Sequence, residues 1–195
     1  VLVLPRIGAM AIAGSVALYV ASAPWLFIAV YGWAANQFGD WKVASAGARL
    51  DIWRVVAKLA LERPFTGHGP NALRRMENIF SPEDVFMSGA GKTGAFHPHN
   101  FALQVWLDLG VAGAIAFIAL ILFAFWRMSA LTRPLAAAGC AMLVAIIVVG
   151  SLSPGLWQGW WLGAIALAVC QFVVATKERE PFAIDQIGIR KERLG

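Results

Sequence analysis

Four stretches of this chain are long and apolar enough to cross a lipid bilayer, and nothing else in the sequence narrows the possible folds as much. They fall at about 9–32, 109–126, 135–152 and 157–175, each near the roughly 17–25 residues that a helix needs to span hydrocarbon. Backbone in lipid must satisfy its own N–H and C=O groups, which leaves helices or a closed barrel, and the two-residue alternation of a barrel is missing. The expected fold is therefore all-α: a polytopic membrane helix bundle with four transmembrane helices and a large, partly helical periplasmic loop. Composition agrees, since 59% of residues are hydrophobic and only 14% charged, outside the range of a soluble domain of this length.

The basic residues set the orientation. Arg6, the 127–133 turn and a tail with Lys177, Arg179, Arg190, Lys191 and Arg193 share one side if the helices alternate, and short basic loops stay in the cytoplasm. Residues 33–108 then lie outside, in the periplasm of a Gram-negative cell, with the spans in the inner membrane. This divides the chain into a membrane domain fragment, 1–175, and a charged cytoplasmic tail, 176–195. A net charge of +5 placed beside apolar spans fits membrane lipids with anionic headgroups and argues against nucleic acid. Cys140 and Cys170 lie inside apolar spans without CxxC spacing and read as small buried hydrophobes. The chain opens on Val1 and enters an apolar run almost at once, so we expect an upstream transmembrane half to be missing. Arg6 and Ala21-Ser22-Ala23 imitate a signal peptide, but apolar character continues past Pro24, as in a span.

Two glycine motifs do not stand for nucleotide sites. Gly89-Ala90-Gly91-Lys92-Thr93 has Phe86 where a P-loop needs its first glycine, and Gly67 to Ala72 fits GxGxxA after a helical pattern rather than a strand. Ser45 to Arg63 reads as an amphipathic helix capped by Ser45 and ended by Pro64. Ile52, Val56, Leu59 and Ala60 form its apolar face, and Asp51, Arg54, Lys58 and Glu62 a solvated one. Arg49 falls on the apolar side, one turn before Trp53, where it either snorkels to headgroups or meets an anion. His97-Pro98-His99-Asn100 precedes the next helix. Asn100, Gln104 and Asp108 form a polar stripe at four-residue spacing, which must face protein or water rather than lipid. The two histidines plus His68 suggest zinc only weakly, because no HExxH spacing accompanies them, and a His-Asn helix cap is the plainer reading. Gly155, Gly159 and Gly163, interspersed with Trp157, Trp160 and Trp161, suggest helix packing near an interface, with a substrate groove as the alternative.

Taken in order, these pieces resemble the signature of the O-antigen ligase and polymerase superfamily: Arg49 with Trp53, the Arg63 to Pro70 loop, His97-Pro98-His99-Asn100 with Leu103, and Asp108-Leu109-Gly110. Asp108 stands where that family commonly has Glu, which keeps the carboxylate. The resemblance implies transfer of a glycan from a polyprenyl diphosphate carrier to a hydroxyl of a glycan, lipid or protein acceptor. It implies an inverting, metal-independent glycosyltransferase that needs no cofactor. On that reading His99 is the base and Arg49 holds the diphosphate in the same cavity, with Arg74 and Arg75 as reserves and His97 and Asn100 as further substrate-binding candidates. A non-catalytic membrane transporter or polysaccharide-assembly subunit is the alternative. It would call for polar or broken helices near the bilayer midplane, whereas here the polar groups gather in the loop.

Overall fold

The computed structural model describes residues 3–38, 44–76, 97–152 and 155–192, so the Gly89 to Thr93 run and part of the expected outer loop lie outside the described residues. The described residues form helices α1 (Val3–Phe38), α2 (Ala44–Glu62), α3 (Ala72–Arg75), α4 (Phe101–Ser129), α5 (Arg133–Gly150) and α6 (Gly159–Glu192), without a strand among them. Among the described residues four segments meet the length and hydropathy of membrane spans: Arg6–Gln37, Phe101–Ser129, Arg133–Gly150 and Gly159–Lys177. The chain is thus an all-α polytopic bundle. Between 6% and 28% of each span's apolar core window is buried within the chain, so most of its surface needs lipid or further helices to cover it.

α1 is one helix of 36 residues, about 54 Å at 1.5 Å per residue, and passes through Pro24 without ending. Proline has no N–H, so the carbonyl of Val20 loses its partner four residues on. The Trp106 indole fills the vacancy, donating to that carbonyl at 2.7 Å. α1 packs against α2 and the first half of α4 through buried Val20, Ala23, Phe27, Val56, Ala60, Phe101 and Val105.

α4 is two helices end to end. Gly110 sits at φ 63°, ψ −157°, far from helical, so the chain breaks one residue after Leu109, where the apolar span begins in the sequence. Residues 101–108 before the break are all buried.

α2 begins at Ala44, which places Ser45 inside the first turn rather than before it. Its expected faces need one correction. Val56 and Ala60 are buried and Lys58 and Glu62 exposed as expected, but Asp51 is only 3% exposed and Arg54 stacks over the Tyr31 ring at 4.6 Å. The solvated face is narrower than helical spacing alone suggests, because α1 runs alongside it.

Among the described residues the glycine stripe packs only at its start: a Cβ on Gly155 would stand 3.0 Å from His97 Cβ, whereas one on Gly159 or Gly163 would meet nothing within 4 Å. Close approach also happens at Gly139 of α5, where a Cβ would stand 2.5 Å from Met128 Sδ and 2.9 Å from Phe172 Cζ. Cys140 is half-buried and Cys170 exposed, so only the first resembles a core residue. The described part of the charged tail is helical, since α6 continues to Glu192.

Candidate active site

The polar stripe at the start of α4 organises the site. Asn100, Gln104 and Asp108 are 1%, 3% and 1% exposed, and each reaches the turn between α5 and α6. Asn100 Nδ2 donates to Ser151 O (3.4 Å), Gln104 Oε1 accepts from Leu156 N (2.7 Å), and Asp108 Oδ2 accepts from Trp157 Nε1 (2.6 Å). Buried polar groups require partners. One helical face thus docks a turn some fifty residues away in sequence.

Asp108 does more than hold Trp157. Its oxygens also accept from the backbone N–H groups of Asn71 and Ala72, both at 3.1 Å, and from Gln104 Nε2 at 3.4 Å. A carboxylate, which only accepts, suits this ring of donors, and it anchors the first residues of α3. The neighbouring glycines explain the Pro64 to Pro70 loop. Gly67 (φ 65°) and Gly69 (φ 87°) let it lie on the α4 break: His68 N donates to Leu107 O (2.8 Å), Gly69 N to Asp108 O (2.9 Å), and Val111 N to Pro64 O (2.7 Å). A Cβ on Gly67 would stand 2.5 Å from the Asp108 carbonyl carbon, and one on Gly110 2.7 Å from that of Phe65.

The candidate residues divide between this scaffold and its openings. Asn100 caps α4: Oδ1 accepts from Leu103 N (3.1 Å) and Nδ2 donates to Tyr19 Oη (2.7 Å), tying the helix start to the middle of α1. Arg75 clasps the glycine loop by donating to the Pro70 carbonyl and, at 2.9 Å, to that of His68. His68 Nε2 donates to Leu59 O at 2.8 Å, so this ring also fastens the loop to α2. Among the described residues no three His, Cys, Asp or Glu side chains form a metal-binding group.

The 97–100 turn is held from the opposite side. Trp53 Nε1 donates to Pro98 O (2.8 Å), pinning α2 and its Arg49, one turn earlier, to the turn that carries His99. Arg49 is half-buried, and among the described residues its guanidinium makes no hydrogen bond or ion pair. His99 adopts the left-handed conformation at φ 52°, which costs a residue with a Cβ about 1 kcal/mol or more. Its ring meets that of His97 edge to face, with centroids 4.1 Å apart.

A cleft of about 340 Å³ opens beside these groups. Arg74, His97, Gln104, Trp157, Gln158 and Trp160 line it, whereas Arg49 and His99 are not among its lining residues. Burial, together with the positive potential of His99 and Arg74, pushes the His97 imidazole down to about 4, so it is neutral at pH 7. Trp157, Gln158 and Trp160 form one wall, at a stretch whose aromatics read in the sequence first as interface packing and only second as a groove. The buried stripe was the available signal: it needed partners at the same end of the bundle, and alternation of the spans brings the α5–α6 turn there.

The match to known proteins runs through this scaffold. The chain is 31% identical over 124 residues to an inferred polysaccharide ligase of Rickettsia conorii, covering 62% of this chain and 29% of that protein. Inferred polysaccharide ligases of Rickettsia felis and Rickettsia prowazekii are 29% identical over 122 residues and 28% over 119; the alignments cover 62% and 60% of this chain and 30% and 29% of those proteins. The chain therefore spans less than a third of the length of these relatives. No solved structure matches it. Residues 1–118, more than half of the chain and including the glycine loop, the 97–100 turn and the α4 break, match the family described as O-antigen ligase. With that match the chain belongs to the O-antigen ligase family.

Proposed function

We propose that this chain forms part of a glycosyltransferase of the inner membrane that moves a glycan from a polyprenyl diphosphate to an acceptor hydroxyl on the periplasmic side. The family match carries this reading, and two local features support it. The Trp53–Pro98 hydrogen bond joins the helix bearing Arg49 to the turn bearing His99, and His99 holds a strained conformation that a glycine would adopt more easily.

The chemistry follows from these groups. Diphosphate is a good leaving group, so the main demand is to stabilise the charge that grows on it as the anomeric C–O bond breaks. The planar fork of Arg49 suits that task. His99 takes the proton of the acceptor hydroxyl as its oxygen attacks the opposite face of the sugar, which inverts the anomeric centre. Asn100 acts through His99 by fixing the turn, while Arg75 and His68 fasten the loop. Arg74 and His97 bind substrate in the cleft. No step uses a metal.

The broken α4 is the feature this chain shares with transporters. At its break, however, the Val111 N–H and the Asp108 carbonyl are engaged by the glycine loop and not presented to a solute, which favours transfer chemistry.

The test uses the full-length gene product, purified and correctly inserted, with a polyprenyl diphosphate glycan, scoring donor binding and transfer separately. His99→Ala should lower kcat with little change in donor affinity. Arg49→Ala should weaken both, and Arg49→Lys should rescue little because it loses the bidentate fork. Lys58→Ala, on the exposed face of α2, serves as control. Wild-type transfer by both His99→Ala and Arg49→Ala would end the assignment of these roles.

A further inference from the structure

We infer that the α5–α6 turn builds one wall of a saccharide-binding subsite, with the Trp160 indole as a stacking platform for a pyranose ring of the glycan substrate. The inference rests on the glycosyl-transfer reading above and adds to it a place for the sugar itself.

A pyranose presents flat patches of C–H and a rim of hydroxyls that both donate and accept. The cleft offers the complement of each. Trp160 is 64% exposed and lines the cleft at the first turn of α6, where the span meets the surface, and Trp161 lies edge-on beside it with centroids 6.0 Å apart. Around it lie the amides of Asn71 and Gln158, which donate and accept, and the guanidinium of Arg74, which donates. His97 adds a neutral imidazole whose Nδ1 is buried and, among the described residues, makes no hydrogen bond. Among the described residues no carboxylate lines the cleft, so a phosphate attached to the sugar would meet no repulsion from those walls.

The wall is also held in place before any ligand arrives. Trp157 is locked by Asp108, the turn is fixed to Gln104 through Leu156, and Gly155 packs so closely on His97 that a Cβ there would stand 3.0 Å from His97 Cβ. Rotamers fixed in advance reduce the ordering cost of binding. The volume of about 340 Å³ lies within the roughly 300–1,000 Å³ of small-molecule sites. Residues 155–160 fall beyond the family-matched 1–118, so the subsite joins a wall from the matched part, with Asn71, Arg74 and His97, to one from outside it.

The experiment measures KM and kcat for donor and acceptor with the full-length gene product. It is paired with binding of the free oligosaccharide by saturation-transfer NMR, which requires no turnover. Trp160→Ala should raise KM about tenfold for one of the two substrates and weaken oligosaccharide binding to match, with kcat less affected; Trp160→Phe should recover most of the loss. A change confined to donor KM assigns the sugar to the donor, and one confined to acceptor KM assigns it to the acceptor. Trp126→Ala, an exposed indole at the other end of α4, should alter neither. Unchanged KM and binding in Trp160→Ala would overturn the subsite, as would a loss of folded protein shared equally with Trp126→Ala, the mark of a membrane-interface anchor only. A wild-type protein that binds oligosaccharide without transferring it would instead refute the proposed reaction and leave the subsite standing.

Discussion

His99 separates folding from chemistry in a single side chain. Its φ of 52° is a conformation glycine adopts freely, so His99→Gly removes local strain together with the imidazole. The variant should melt at or above the wild-type temperature in detergent yet transfer no glycan. A variant that loses stability and activity together would reduce His99 to a structural role. Asp108 is the converse. Asp108→Asn turns an NH2 group toward N–H donors and should destabilise the chain on the order of 3 kcal/mol, whereas Asp108→Glu keeps an acceptor-only group and should retain more of the stability and the transfer. Thermal melting of the two variants side by side checks this. His97 confers a pH dependence. Held near 4, below the ordinary 6.5, it leaves the folded chain with fewer bound protons than the unfolded one between those values. Its contribution is therefore complete above pH 6.5 and declines as pH falls toward 4. By pH 5 the loss should be about 1 kcal/mol, reduced by solvent because the ring is half-exposed, and His97→Gln should abolish it. Parallel melts at pH 7 and pH 5 would refute this if both proteins lost the same amount.

At the scale of elements, the spans and the helix after Ser45 could be read from apolar runs and helical spacing, since those signals depend only on neighbours in sequence. The break in α4 was half legible. Leu109 marks where continuous apolar character starts, but what stops the helix is the backbone of a loop some forty residues earlier, which periodicity cannot register. The same limit explains the burial of Asp51 and the unpacked Gly159 and Gly163, both set by which helix lies alongside. In the candidate site the histidine and arginine motifs stood out as residue types, while the Trp157–Trp160 wall emerged only once the stripe on α4 had found its partners. The loop and the break should fail together. Gly67→Ala and Gly110→Ala each put a Cβ within 2.7 Å of opposing backbone and impose an unfavourable positive φ, so each should cost about 3 kcal/mol or more. Because both disrupt one interface, the double variant should lose less than the sum. Strict additivity in denaturation would show the two glycines to be independent.

For the whole molecule, alternation of the spans places the turn between α4 and α5 opposite the site. Single cysteines at Arg127 and at Thr66, labelled in intact cells, should react only at Thr66 if the site faces the periplasm. Labelling at Arg127 alone would invert the arrangement. The Pro24 position also governs how the bundle comes together. Until Trp106 arrives, the Val20 carbonyl sits in the middle of an apolar helix with no donor of its own chain to take, and lipid supplies none. The donor is encoded 86 residues downstream, so it leaves the ribosome well after α1 has entered the membrane machinery. During synthesis α1 is thus an unfinished helix, completed only by the segment that follows the 97–100 turn, and a truncation before Trp106 should leave the Val20 carbonyl without its donor.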